Sequence, residues 1–223
     1  MSSSFTPSSE GTVDFVVGRE TYHTWYSVYG DLTDHNHWRT PLIVVHGGPG
    51  LTHDYLLPIS DLAHTAHIPV VFYDQLGNGR STHLRWRPPA FWSIDLFVDE
   101  LANLVARLGV QDAFDVLGHS WGGRLAAEWE VRRQPAGLRR LVLSNTFASV
   151  ALWERSLAQL RQRLPEKVQE ELRWAHGVER HDAALEVFQA KHMCTVSPLP
   201  AEFRYSMEQT MDASGDPTVW NAM

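Results

Sequence analysis

The pentapeptide Gly118-His119-Ser120-Trp121-Gly122 fits the pattern G-x-S-x-G. A serine flanked in this way can occupy a turn too tight for larger side chains, between a strand and a helix. Its hydroxyl then stands above the C-terminal end of a sheet. The N–H groups that open the helix point at the same place, where they can stabilise an oxyanion. The chemistry is nucleophilic attack by Ser120, with the N–H of Trp121 as one oxyanion donor. A second glycine-rich stretch, His46-Gly47-Gly48-Pro49-Gly50, follows an apolar run. Glycines there let backbone approach a substrate oxygen closely, and the N–H of Gly48 would complete a two-donor hole. Taken singly, each stretch could be a simple turn; their co-occurrence favours the chemical reading.

The elements that must position these residues can be read from the pattern of apolar residues. Leu42-Ile43-Val44-Val45 and Pro69-Val70-Val71-Phe72-Tyr73 are short apolar runs rich in β-branched residues. Such runs suit strands of a parallel sheet covered on both faces. Residues 54–67 between them have helical spacing at Tyr55, Ile59, Leu62 and Ala63. The clearest helix is 93–108. Ser93 serves as N-cap, an apolar stripe runs from Ile94 to Leu108, and Gly109 provides the stop. Ala113 to Leu117 reads as a strand, Trp121 to Gln134 as a helix halted by Pro135, and Leu141 to Asn145 as another strand. Alternating strands and helices predict a mostly parallel α/β sheet. Ahead of it, Val13–Val17 and Thr21–Tyr29 form an expected hairpin around Gly18. After residue 148 the pattern becomes helical, over 149–164, 166–175, 179–193 and 200–211. The expected organisation is a disordered tail at 1–12, an α/β core at 13–147 and a helical cap segment at 148–223.

Composition narrows the function classes. The 223 residues carry 19 Lys and Arg against 26 Asp and Glu, a net charge of −7. That balance argues against nucleic acid or an anionic membrane as a partner. With one cysteine, Cys194, neither an intrachain disulfide nor a Cys-rich zinc site can form. The start has no secretory signal and no apolar run approaches membrane-spanning length, so a cytoplasmic protein is expected. There are 12 histidines but no H-E-x-x-H spacing. His35 and His37 could share a strand face and hold a metal, but with no third ligand nearby a solvated loop is the better reading. No metal and no cofactor are expected.

The segments His46–Gly50, Asp74-Gln75-Leu76-Gly77-Asn78-Gly79-Arg80-Ser81 and Gly118–Gly123 together resemble the proline iminopeptidase family of α/β-hydrolases. The resemblance covers roughly residues 13–147, and Asp216–Met223 is similar to a cap segment of that family. It implies Ser120 as nucleophile and Gly48 and Trp121 as oxyanion donors. It implies that Asp74 is a structural loop residue and that His46 and His119 lie near the site without acting as base. Gly47, Gln75, Gly118 and Gly122 are motif positions beside it.

Ser, acid and His follow one another along the chain in this fold, the last two after later strands. His176, His181, His192 and Asp182 lie on expected helices, and Asp212 and Asp216 in a turn, so no triad acid or base is identified. The expectation is a chain that stops within the cap, without the C-terminal strands of the fold. Two functions compete. One is a serine hydrolase acting on an N-terminal residue or a small amide or ester. The other is a non-catalytic relative that binds a small molecule, or a truncated remnant. An uncovered sheet edge at Leu141–Asn145 is expected to make the chain poorly soluble or to let it self-associate, and to leave it less stable than a complete family member.

Overall fold

The computed structural model describes residues 6–34, 37, 39–174, 179–211 and 214–223. Six strands form one sheet in the order β1-β2-β4-β3-β5-β6. They are β1 (Ser9–Val17), β2 (Glu20–Tyr29), β3 (Leu42–Val45), β4 (Val70–Tyr73), β5 (Phe114–His119) and β6 (Leu138–Ser144). β1 and β2 are an antiparallel hairpin, and β2 joins β4 antiparallel. β4, β3, β5 and β6 run parallel. Every residue of β3 and β4 is buried, as their unbroken apolar runs require in a sheet covered on both faces.

The helices interleaved with the strands are α1 (Asp61–Ala66), α2 (Ile94–Arg107) and α3 (Trp121–Arg133). Ser93 caps α2 by accepting the N–H of Leu96 at 3.2 Å. The stripe Phe97, Val98, Leu101, Leu104 and Val105 is buried in the larger apolar core with Ile43, Val71 and Val116. The expected helix over 54–67 divides into a 3₁₀ helix, Asp54–Ser60, and α1. Pro58 lies inside the first and cannot donate to an α-helical ladder.

β6 runs from Leu138 to Ser144 where the apolar run predicts Leu141–Asn145, and two domain boundaries also differ from expectation. Residues 9–12 are strand rather than tail, because β1 pairs with β2 from Ser9 opposite Val28 onward; residues 1–5 lie outside the described residues. The helical segment also divides. Residues 147–201 form one unit, with α4 (Val150–Arg161), α5 (Glu166–Glu171) and α6 (Glu179–His192). Residues 202–223 belong with the sheet, including α7 (Ala201–Glu208) from Glu202 onward and α8 (Thr218–Ala222). Three contacts explain this. Ser206 Oγ donates to Thr52 O at 2.9 Å. Asp216 meets His83 at 2.7 Å. Val219 is fully buried against Gly77, where a Cβ would lie 2.5 Å from its Cγ2. Within the unit 147–201, α5 packs on α6, and the Arg180 guanidinium sits 3.9 Å over the Trp174 ring.

Candidate active site

Ser120 is the hinge between β5 and α3, with φ 55° and ψ −120°. A positive φ on a non-glycine residue costs about 1–3 kcal/mol and persists only when its surroundings impose it. The glycines around it supply that constraint. A Cβ on Gly118 would run into Gly122 O and Gly123 Cα, and one on Gly122 into Val45 O and His46 O. Their absence lets α3 start directly against the ends of β3 and β5. The turn is pinned further by Ser120 N–H donating to Ser144 O at 2.9 Å and by Thr146 Oγ1 donating to Ser120 O at 2.6 Å.

The loop 46–50 reaches this serine. A Cβ on Gly47 would lie 3.1 Å from Ser120 Cβ and 3.3 Å from His119 O, so the two glycine-bearing turns touch at Gly47. Gly48 follows with φ +120°, a conformation that suits glycine.

Gln75 holds loop and turn together from behind. Its side-chain amide donates to His46 O at 3.0 Å and accepts from the Trp121 indole N–H at 3.2 Å. Its backbone N–H donates to His46 Nε2 at 3.0 Å, while His46 Nδ1 faces Gly47 O at 2.9 Å. His46 therefore carries its proton on Nδ1 and is neutral. Burial lowers its pKa in the same direction. His46 is wholly inside the protein, and both its ring nitrogens are engaged.

Asp74 is equally buried. It accepts from His53 N–H at 3.0 Å, His53 Nδ1 at 2.8 Å, Arg80 N–H at 3.0 Å and Arg80 Nη1 at 3.3 Å. Burial alone would raise its pKa; the His53 imidazole, through its charge and its hydrogen bond, overrides that and holds the carboxyl below the usual carboxylate range. His53, Asp54 and Asp74 present ligand atoms within 4.8 Å of one another. The Arg80 guanidinium already pairs with both carboxylates of that group, at 2.9 and 3.0 Å from Asp54 and 3.3 Å from Asp74. These side chains form an ion-pair network fastening the loop after β4.

Asp216 lies in the turn before α8. His83, Thr218 and Arg85 occupy its carboxylate, at 2.7, 2.5 and 3.4 Å. His181, Asp182 and His192 lie in α6 of the unit 147–201. His35, His176 and Asp212 fall outside the described residues.

Two residues beside the site carried no signal of their own in the sequence. Tyr55 occupies an apolar position of the expected helix over 54–67, yet its hydroxyl bonds both Gly47 N–H and His119 Nδ1, each at 2.8 Å. Glu100 falls in the helical stripe of α2. It accepts from Thr24 Oγ1 at 2.6 Å and from Leu76 N–H at 2.9 Å, fixing the loop that carries Gln75.

Among the described residues no helix is long and apolar enough to cross a membrane. Residues 40–210 match the family model described as alpha/beta hydrolase fold. The chain is 34% identical over 182 residues to a proline iminopeptidase of Lactobacillus delbrueckii subsp. lactis, covering 79% of this chain and 60% of that protein. It is 41% identical over 139 residues to a proline iminopeptidase of Levilactobacillus brevis, covering 62% of this chain and 44% of that one. The chain thus spans at most about 60% of the length of these two relatives. Among solved structures it is similar to VinJ, with TM-score 0.88 and 42% identity over 97% of this chain and 71% of that one. It is also similar to the proline iminopeptidase of Mycobacterium smegmatis, with TM-score 0.83 and 38% identity over 96% of this chain and 70% of that one. A serine held at a strained strand-to-helix turn, a glycine loop pressed against it, and these likenesses in sequence and structure agree: the chain belongs to the alpha/beta hydrolase fold family, and within it to the proline iminopeptidases.

Proposed function

We propose that the protein is a serine hydrolase of the proline iminopeptidase type, acting on an N-terminal residue or a small amide or ester. Ser120 is the nucleophile, and the N–H groups of Gly48 and Trp121 receive the oxyanion. The observation that carries this reading is the contact of Gly47 with Ser120 across a turn held at positive φ. It brings the loop bearing Gly48 beside the first residue of α3, where two N–H groups can meet one oxygen. Asp74 and His46 belong to the framework, since their polar atoms are consumed by it. We further propose that copies of the chain associate along the outer edge of β6.

A serine needs a base to become a strong nucleophile. Among the described residues no imidazole is hydrogen-bonded to Ser120 Oγ; His119, next to it in the chain, is tied through Nδ1 to Tyr55. The expected turnover of proline p-nitroanilide is therefore far below about 1–10³ s⁻¹, the ordinary range for enzymes. What remains is the part an oxyanion hole supplies alone. Covalent labelling by a fluorophosphonate, compared with Ser120→Ala, tests the assignment. Slow labelling that depends on Ser120 supports it, and labelling that is absent from wild type or indifferent to that substitution rejects it.

A further inference from the structure

Tyr55 stands where the two halves of the proposed site meet. Its hydroxyl oxygen accepts the N–H of Gly47 at 2.8 Å and lies 2.8 Å from Nδ1 of His119. A phenol has one proton to give. Gly47 N–H is a donor and cannot take it, and among the described residues no further acceptor meets this hydroxyl. The proton is therefore directed at His119 Nδ1, which accepts, and the imidazole carries its own proton on Nε2. The same hydroxyl lies 2.9 Å from the point a Cβ on Gly47 would occupy, which is itself 3.1 Å from Ser120 Cβ. Tyr55 thus bonds both sides of the contact on which the oxyanion geometry depends.

The ring is held in place. It meets His119 edge-on with centroids 5.3 Å apart, and Phe203 of α7 edge-on at 6.4 Å. Burial raises the phenol pKa, against a smaller lowering by the Gly47 bond, so the hydroxyl keeps its proton. Burial lowers the pKa of His119, so the imidazole keeps a lone pair to receive it. Gln75 ties the same loop and turn on the far side, from His46 O to the Trp121 indole. Tyr55 does so beside the serine.

We propose that Tyr55 is a positioning residue that ties Gly47 to His119 and so sets the spacing between the loop bearing Gly48 and the turn bearing Ser120 and Trp121. The kinetic consequence rests on Ser120 being the nucleophile; the tie itself does not. Imidazole nitrogen NMR on the wild-type chain reads the tie directly. The expected result is a single His119 tautomer with the proton on Nε2, becoming a mixture in Tyr55→Phe. A wild-type His119 protonated on Nδ1 overturns the proposal, whether or not the variant folds.

Fluorophosphonate labelling reads the consequence. In a Tyr55→Phe variant shown by its melting curve to be folded, the rate is expected to fall about tenfold to a hundredfold, the scale on which small misplacements of reacting groups act. A rate equal to wild type, with the tautomer unchanged, rejects the proposal. If Ser120→Ala labels as fast as wild type, the reading of Ser120 has failed, and the His119 tautomer alone decides the role of Tyr55.

Discussion

The sheet ends in two edges that are built differently. β1 alternates: Phe15 points inward and is buried, while Glu10, Thr12 and Asp14 face water. Acidic residues and Gly11 along it make a poor template for another strand. β6 carries Leu141-Val142-Leu143 without alternation, and Val142 and Leu143 are 46% and 48% exposed. The same kind of run in β3 and β4 is buried throughout. An unbroken apolar run therefore identifies a strand suited to two covered faces. It does not say whether both faces are covered in a given chain, because that depends on what lies beside it.

The contrast is broken most directly by cutting side chains in the two places. Ile43 in β3 is wholly buried between β4 and β5. Ile43→Ala is expected to cost about 2–5 kcal/mol in denaturant unfolding, through lost burial and the cavity left behind. Leu143→Ala in β6 is expected to stay within about 0.5 kcal/mol of wild type. Equal costs at the two positions would mean that β6 is covered in solution.

This difference also explains what was legible in the sequence. The strands and α2 could be read because apolar spacing and the Ser93 cap are local signals. The serine turn and the glycine loop could be read because their glycines answer a steric demand made within a few residues, as at Gly118 and Gly122. Tyr55 and Glu100 could not. Each looks like an ordinary member of a helical pattern, and each acquires its role from a partner distant in sequence, His119 and Thr24 respectively. The start of β1 at Ser9 was hidden for the same reason. Its Ser-, Thr- and Gly-rich composition suggests a tail, and only pairing with β2 makes it a strand.

Glu100 gives the sealed part of the molecule a pH response. Burial raises its pKa to about 7, against the lowering effect of Thr24 and the Leu76 N–H. A raised folded-state pKa means that stability is complete below the unfolded value of 4.5 and is lost as pH climbs toward 7. The loss amounts to about 3 kcal/mol. Asp74 acts in the opposite sense and in a lower window: its depressed pKa stabilises the fold above the unfolded value and that contribution fades in acid. Unfolding measured for wild type and Glu100→Gln from pH 4.5 to about pH 8 separates them. The variant is expected to gain on wild type as pH rises, and a difference independent of pH rules out the buried carboxyl as its source. On β6, Arg140 pairs with Asp115 at 3.1 Å but its side chain is 70% exposed. Arg140→Ala is expected to cost less than about 1 kcal/mol.

The smallest effect on stability, and the sharpest on behaviour, is expected from adding charge to each edge. Among the described residues β6 pairs with β5 alone, and in the association proposed above the backbone groups on its other side would pair with a second strand. A two-fold antiparallel register centred on Leu141 would set Arg140 opposite Val142 of the other copy and Arg139 opposite Leu143. No guanidinium then faces another directly, and each arginine stem lies along an apolar side chain. β1 has an exposed apolar residue too, Val16, but it lies next to the turn at the end of a strand carrying Glu10 and Asp14. Light scattering after size-exclusion chromatography is expected to show wild type heavier than a monomer. Leu143→Lys, which sets a lysine beside Arg139 of the partner, is expected to shift it to monomer with unfolding within about 0.5 kcal/mol of wild type. Val16→Lys is expected to leave the mass unchanged. A wild-type chain that runs as a monodisperse monomer removes β6 as an association edge, and a shift caused by Val16→Lys instead would assign that role to β1.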